Sequence, residues 1–197
     1  MTTKRAILIH GYNVKDGGAG TTGRLKRELE IRGFKVVQFS PGWRGLLRVR
    51  FGNAKLAAKL ASMIRPGDVL IGHSDGCNLV NQACWLLSDM VTPPQVDCVY
   101  CNPALDIDTP LAPQVKKTLV MHSMSDRVVY ISKWLVFHRW GQMGRIGYKD
   151  NLNHDPRYVN CTYESIGVPY PGHSGVFSKI GWRASLLNRI EKFLTGK

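Results

Sequence analysis

Residues 68–76 read Asp-Val-Leu-Ile-Gly-His-Ser-Asp-Gly. A short apolar run enters Gly-x-Ser-x-Gly, and a helical pattern follows at once. This stretch constrains the fold more than any other. A continuous apolar run of this length suits a strand covered on both faces. A strand that passes directly into a helix belongs to a crossover unit, and such units build parallel sheets. The sharp turn between them strains its central residue and projects the Ser74 side chain from the end of the sheet. The helix N-terminus behind it supplies N–H groups and the positive end of a dipole, which favour a developing negative charge.

The rest of the chain repeats the alternation. Apolar runs at 6–10, 35–39, 68–72, 96–101, 118–122 and 161–165 read as strands. Amphipathic stretches at 21–32, 52–65, 74–90, 131–143 and 175–194 read as helices. Gly33 and Pro66-Gly67 are stop signals after the first two. No internal repeat or low-complexity segment interrupts the pattern. The expected architecture is α/β: one domain over residues 1–197, three layers (α/β/α), with about six mostly parallel strands. Residues 103–117 and 144–160 lack a clear period and read as loops, the second over one edge of the sheet.

Composition narrows the function classes. With 44% hydrophobic and 21% charged residues, a 197-residue chain can bury a core, which excludes disordered and fibrous classes. No apolar run approaches the roughly 18 residues of a membrane span. Residues 6–9, behind a basic N-terminus, are too few for a signal-peptide core, so a cytoplasmic location is expected. Lys plus Arg number 27 and Asp plus Glu 14, giving 27 − 14 = +13. That charge favours an anionic substrate or surface. The basic residues are spread out, densest at 24–32 and 44–50, so specific nucleic-acid binding is not expected. Five cysteines, an odd number, argue against a disulfide framework. Cys98 and Cys101 have CxxC spacing, but on a strand they face opposite sides. All five read as reduced, mostly buried thiols, and no metal or cofactor is expected.

A serine needs a base to accept its proton, and the base needs an orienting carboxylate. His173 follows the last expected strand, in Pro171-Gly172-His173-Ser174, and falls on the same rim as Ser74. Asp126 follows the strand before it, in Ser125-Asp126-Arg127-Val128-Val129. Asp106 and Asp108, one strand earlier, are the competing acids. The first strand ends in His10-Gly11-Tyr12. Gly11 lets the backbone approach a substrate, so the N–H of Tyr12 joins that of Asp75 as an expected oxyanion donor. His10 reads as structural and His73 as a packed neighbour of the serine. Trp43 is a candidate for lining the substrate. Trp134, Phe137, Trp140 and Met143 share one helical face, read as core contact or as a substrate-facing wall that would include Trp134. Gly18 to Leu25 resembles a phosphate-binding loop with Arg24 for lysine and Leu25 for the hydroxyl residue, and it begins too far beyond its strand. It reads as a plain loop, with Thr21 or Thr22 capping the next helix.

Taken in order, His10-Gly11, the serine turn, Ser125 to Val129, and Gly172-His173 resemble the signatures of the α/β-hydrolase superfamily. The resemblance covers residues 6–194 and is to a compact esterase- or lipase-like member without a large cap. It implies hydrolysis through an acyl-enzyme, with Ser74 as nucleophile, His173 as base, Asp126 as its orienting acid, and the Tyr12 and Asp75 N–H groups around the oxyanion. Asp75 and Cys77 depart from the small or apolar residues commoner there, and the two leading strands of larger relatives are missing. The expected function is cleavage of a carboxylic ester; thioesters and amides use the same machinery. The alternative is a catalytically weak hydrolase fold serving as a binding or structural subunit on an anionic partner. An open site is expected to prefer short acyl groups or a polymer-borne ester. Arg44, Arg48, Arg127 and Arg145 near the rim would favour a negatively charged one.

Overall fold

Six strands form one sheet in a computed structural model that describes residues 4–11, 14–42, 46–132, 141–149 and 154–196. They are β1 (Arg5–Ile9), β2 (Lys35–Phe39), β3 (Val69–His73), β4 (Val96–Cys101), β5 (Val115–His122) and β6 (Tyr158–Thr162). The strand order is β2-β1-β3-β4-β5-β6, and every pairing is parallel. The α-helices are α1 (Lys26–Ile31), α2 (Leu46–Ala61), α3 (Asp75–Leu87), α4 (Arg127–Ser132), α5 (Met143–Ile146) and α6 (Ile180–Thr195).

The layers follow from alternation and handedness. In β1, Ile7 and Ile9 face one core with Ala57 and Leu60 of α2 and Leu79 and Val80 of α3. Ala6 and Leu8 face the other, with Leu29 of α1 and Leu186, Leu187 and Ile190 of α6. The chain leaves β1 toward β2, then reverses across β1 to β3. Right-handed crossovers running in opposite directions along a sheet place their helices on opposite faces, so α1 and α2 are separated. The reversal lies between β1 and β3. Open parallel sheets form their crevice beyond the strand ends at such a point, and the chain there consists of Gly11 and Ser74.

The expected strands are all present: β2 and β4 have the expected bounds, and the ends of the others shift by at most three residues. The first expected helix is a 3₁₀ turn (Thr22–Leu25) running into α1, and neither Thr21 nor Thr22 caps it: the Thr21 hydroxyl donates to the Gly18 carbonyl instead. The second begins earlier than its apolar period suggested, at Leu46. The last divides into a 3₁₀ turn (Gly175–Phe177) and α6. In the loop that resembles a phosphate cradle, the Gly18 and Gly20 N–H groups donate to the Asp16 carboxylate at 3.0 and 2.7 Å. The Thr21 and Gly23 N–H groups donate to the Gly18 carbonyl. The loop spends its donors on itself. All five cysteines are buried and free, with Cys98 in one core and Cys101 in the other. No helix among the described residues is long and apolar enough to cross a membrane.

Candidate active site

Ser74 sits between β3 and α3 with φ 56° and ψ −127°, a conformation rare for any residue but glycine. Holding a residue there costs about 1–3 kcal/mol, so its surroundings must over-determine it. Backbone hydrogen bonds do so. The Ser74 N–H donates to the Cys101 carbonyl at 3.0 Å, and the Ser74 carbonyl accepts from the N–H groups of Cys77 (3.0 Å) and Ala104 (3.3 Å). Close packing completes the turn: a Cβ on Gly76 would lie 2.7 Å from the Ile9 carbonyl oxygen, so the start of α3 can seat on the end of β1 only without a side chain there.

His173 and Asp126 arrive from two other loops. Asp126 is fully buried at the head of α4. Its Oδ2 lies 2.8 Å from His173 Nδ1, and His173 Nε2 lies 2.9 Å from Ser74 Oγ. A carboxylate only accepts, so Nδ1 carries the proton. Nε2 of the neutral ring is then the acceptor, and the Ser74 hydroxyl donates to it. Burial acts to push the Asp126 carboxyl up. The His173 hydrogen bond and charge, the Val129 N–H (3.0 Å) and the Asn102 amide (2.9 Å) outweigh it, and the carboxyl is held below its ordinary value. Asp126 is therefore an anion at neutral pH. Asp106 and Asp108 are exposed, and His173 bonds to neither.

Two residues that the sequence did not single out as site residues tie the loops together. Asn102, fully buried at φ 48°, donates from one amide nitrogen to Asp126 Oδ2 and, at 3.3 Å, to the Gly172 carbonyl. It links the acid loop to the histidine loop. Ser125 adds a second link, its hydroxyl oxygen accepting the Gly172 N–H at 3.1 Å. That hydroxyl bonds to Ser123, which donates to Glu164 at 2.5 Å. Its position directly after the apolar run 96–101 is the one sequence signal Asn102 carries. Ser123 and Ser125 look like ordinary loop residues.

His73 has a more specific place than a packed neighbour. Its Nε2 donates to the His173 carbonyl at 2.9 Å, and its ring lies 4.9 Å from that of His173 and edge-on to Phe177. Burial, and then the nearby His173 charge, lower its pKa to about 3. His73 is thus neutral under ordinary conditions and holds the backbone beneath His173. His10 is buried, with Nδ1 2.9 Å from the Gly11 carbonyl and Nε2 3.3 Å from Ser40.

The region of the expected oxyanion donors is partly described. Asp75 opens α3 with no exposed surface, and its Oδ1 lies 3.5 Å from the Asn53 amide and 3.4 Å from the Asn78 amide. A Cβ on Gly11 would fall 2.7 Å from Ser74 Cβ and 3.2 Å from its Oγ, so the β1 turn passes directly over the serine. Tyr12, Trp43, Arg44 and Trp134 lie outside the described residues, as does the side chain of Arg48. Met143, the last member of the aromatic stripe, is buried in α5 against the core. Among the described residues no group of three His, Cys, Asp or Glu side chains is placed to hold a metal ion.

The all-parallel sheet, its helical layers and the serine turn at the reversal point define the α/β-hydrolase fold in a minimal form. Solved structures agree with it. One is described as a predicted CIB-like hydrolase from Thermoplasma acidophilum, similar over 98% of this chain and 87% of that one, with a TM-score of 0.55 at 16% identity. Another is Aspergillus fumigatus lipase B, similar over 91% of this chain at 15% identity, with a TM-score of 0.51. This chain spans 51% of the length of the lipase. No protein-family model and no curated protein matches the chain.

Proposed function

We propose that the protein is a serine hydrolase that cleaves a carboxylic ester through an acyl-enzyme. The observation that carries this reading is the continuous hydrogen-bonded chain from Ser74 Oγ through His173 to Asp126, at 2.9 and 2.8 Å. In the first step His173 Nε2 takes the hydroxyl proton as Ser74 Oγ attacks the ester carbonyl. Asp126 stabilises the imidazolium and fixes its tautomer. The oxyanion is met by the N–H of Asp75 at the start of α3; the family resemblance assigns the second donor to Tyr12, which lies outside the described residues. The imidazolium gives its proton to the leaving alcohol. Water, deprotonated by the same histidine, then releases the acid. The two neighbouring folds described as a hydrolase and a lipase support the reaction class by analogy.

The substrate reading follows from what the described residues place around the serine. Nothing among the described residues forms a separate cap domain, so little of a long acyl chain would be buried, and each unburied methylene forgoes about 0.8 kcal/mol. Short acyl groups, or an ester carried on a larger polymer, suit such a site. The test is a fluorophosphonate probe, which reports an activated serine whatever the natural substrate. We expect one adduct, on Ser74, absent from Ser74→Ala and from heat-denatured protein. Failure of the folded protein to label would overturn the reading.

A further inference from the structure

A cavity of 850 Å³ lies against the acid loop, and neither Ser74 nor His173 lines it. Its volume falls within the roughly 300–1,000 Å³ of small-molecule sites. Asp126, Ser125 and Gly172 do contribute to its wall. An occupant would therefore touch Ser125 and Gly172, whose contact ties the acid loop to the histidine loop, with the buried Asp126 behind them, and not the reacting oxygen.

The walls have two characters. One is apolar: Met124 and Tyr170 are 62% and 81% exposed, and Tyr130 and Ile131 are exposed beside them. Single exposed apolar residues are ordinary, but several converging on one concavity mark a binding surface. Tyr170 is moreover held at φ 47°, a strained conformation for a bulky residue, so its place on the wall is kept at a cost in backbone energy. The other character is charged. Arg145 lies with its guanidinium 4.4 Å above the Tyr130 ring and its Nε 3.4 Å from the Met124 carbonyl, which fixes the guanidinium plane against the apolar wall. Arg127 lines the same cavity. The acids facing them are Glu164, which accepts the Ser123 hydroxyl, and Asp126, whose oxygens already accept from His173, Asn102 and Val129.

We propose that this cavity is a second ligand site, separate from the serine, for an amphipathic monocarboxylate. Its carboxylate pairs with Arg145 and Arg127, and its apolar body lies on Tyr130, Ile131 and Met124. A planar guanidinium fork matches a carboxylate in two parallel hydrogen bonds. A dianion would meet Glu164 and Asp126 at close range, which selects a single charge. Because the occupant borders the Ser125–Gly172 contact, it is placed to alter how the histidine loop is held.

Sodium decanoate, kept below its aggregation threshold and titrated by calorimetry, tests the site without any need for turnover, so the result is independent of the hydrolase reading. Arg145→Gln, which can keep the bond to the Met124 carbonyl, should weaken binding about tenfold, the scale of one charge-assisted hydrogen bond. Arg127→Ala should weaken it, and Glu164→Gln, which removes an opposing charge, should tighten it. Decanol should bind more weakly than decanoate. Melting temperatures of the variants guard against unfolding. The proposal is overturned if decanoate does not bind, if both arginine variants bind it within twofold of the parent while melting normally, or if decanol binds as tightly. Where an ester is turned over, decanoate should inhibit or activate without competing with it; purely competitive inhibition would instead place decanoate at the serine and reject a second site.

Discussion

The Asn102 side chain donates to Asp126 Oδ2 at 2.9 Å and joins it to the backbone of the loop carrying His173. Both residues are fully buried, and each comes from a different strand end. The carboxylate is thus held by three donors, of which His173 is one.

Removing the amide tests that arrangement. Asn102→Gly tolerates the positive φ of this position while losing the side chain. We expect kcat for a short p-nitrophenyl ester to fall by about 10- to 100-fold with KM little changed, because a small misplacement of a catalytic group has that effect. An unchanged kcat in a folded variant would assign Asn102 a purely structural role.

The three residues of the hydrogen-bonded chain should behave as one unit. Ser74→Ala and His173→Ala should each lower turnover by about 10⁴-fold or more, and the double variant should be little worse than either. Asp126→Asn should fall by about 10⁴-fold with the fold intact, because the tautomer of His173 is no longer held. Asp106→Asn and Asp108→Asn, at exposed positions, should be nearly silent. Steady-state kinetics on purified variants check all six.

His73 links stability to pH. Its folded pKa, about 3, lies below the ordinary histidine value of 6.5. Between those values the unfolded chain binds a proton that the folded chain does not, so stability falls as pH drops through this window and is complete above it. The loss from this one group is at most about 1.4 kcal/mol per pH unit. The half-buried His122, also lowered by burial, acts in the same direction. His73→Gln can still donate to the His173 carbonyl but cannot titrate. Urea unfolding at pH 7, 6, 5 and 4 should show a shallower decline in this variant, with esterase activity largely kept at pH 7.

Gly11→Ala tests the approach of the β1 turn to the serine. The added Cβ would lie 2.7 Å from Ser74 Cβ and 3.0 Å from the His73 carbonyl oxygen, so one of the two turns must move. Overpacking of this kind costs about 1–3 kcal/mol. A lowered melting temperature together with slower fluorophosphonate labelling of Ser74 is expected. Labelling at the parent rate would show that the turn yields without disturbing the serine.

What the sequence determined by itself is local. The apolar runs of Ala6 to Ile9 and Val96 to Cys101, with amphipathic stretches between, carry strand and helix in their periodicity, and a parallel sheet follows from their order. The serine turn is legible in part for the same reason: Gly72 answers to Cys77 a few residues on, whereas Gly76 answers to the distant end of β1. The chain order Ser74, Asp126, His173 and its place at the strand ends were legible for the same reason. The tertiary structure decided which groups meet. Asp126, not Asp106 or Asp108, faces His173, because the lengths of two loops set that distance. The helix ends shifted where 3₁₀ turns replaced the expected first turns. The loop at Gly18 reads from the sequence as a plain loop despite its likeness to a phosphate cradle, and the tertiary structure adds how its donors are used, on Asp16. Asn102 and His73 gave no motif, since their bonds to Gly172 and His173 span 70 and 100 residues of chain. Such contacts depend on strand register and on how separate loops converge above the sheet, and no short-range pattern of side chains encodes that convergence.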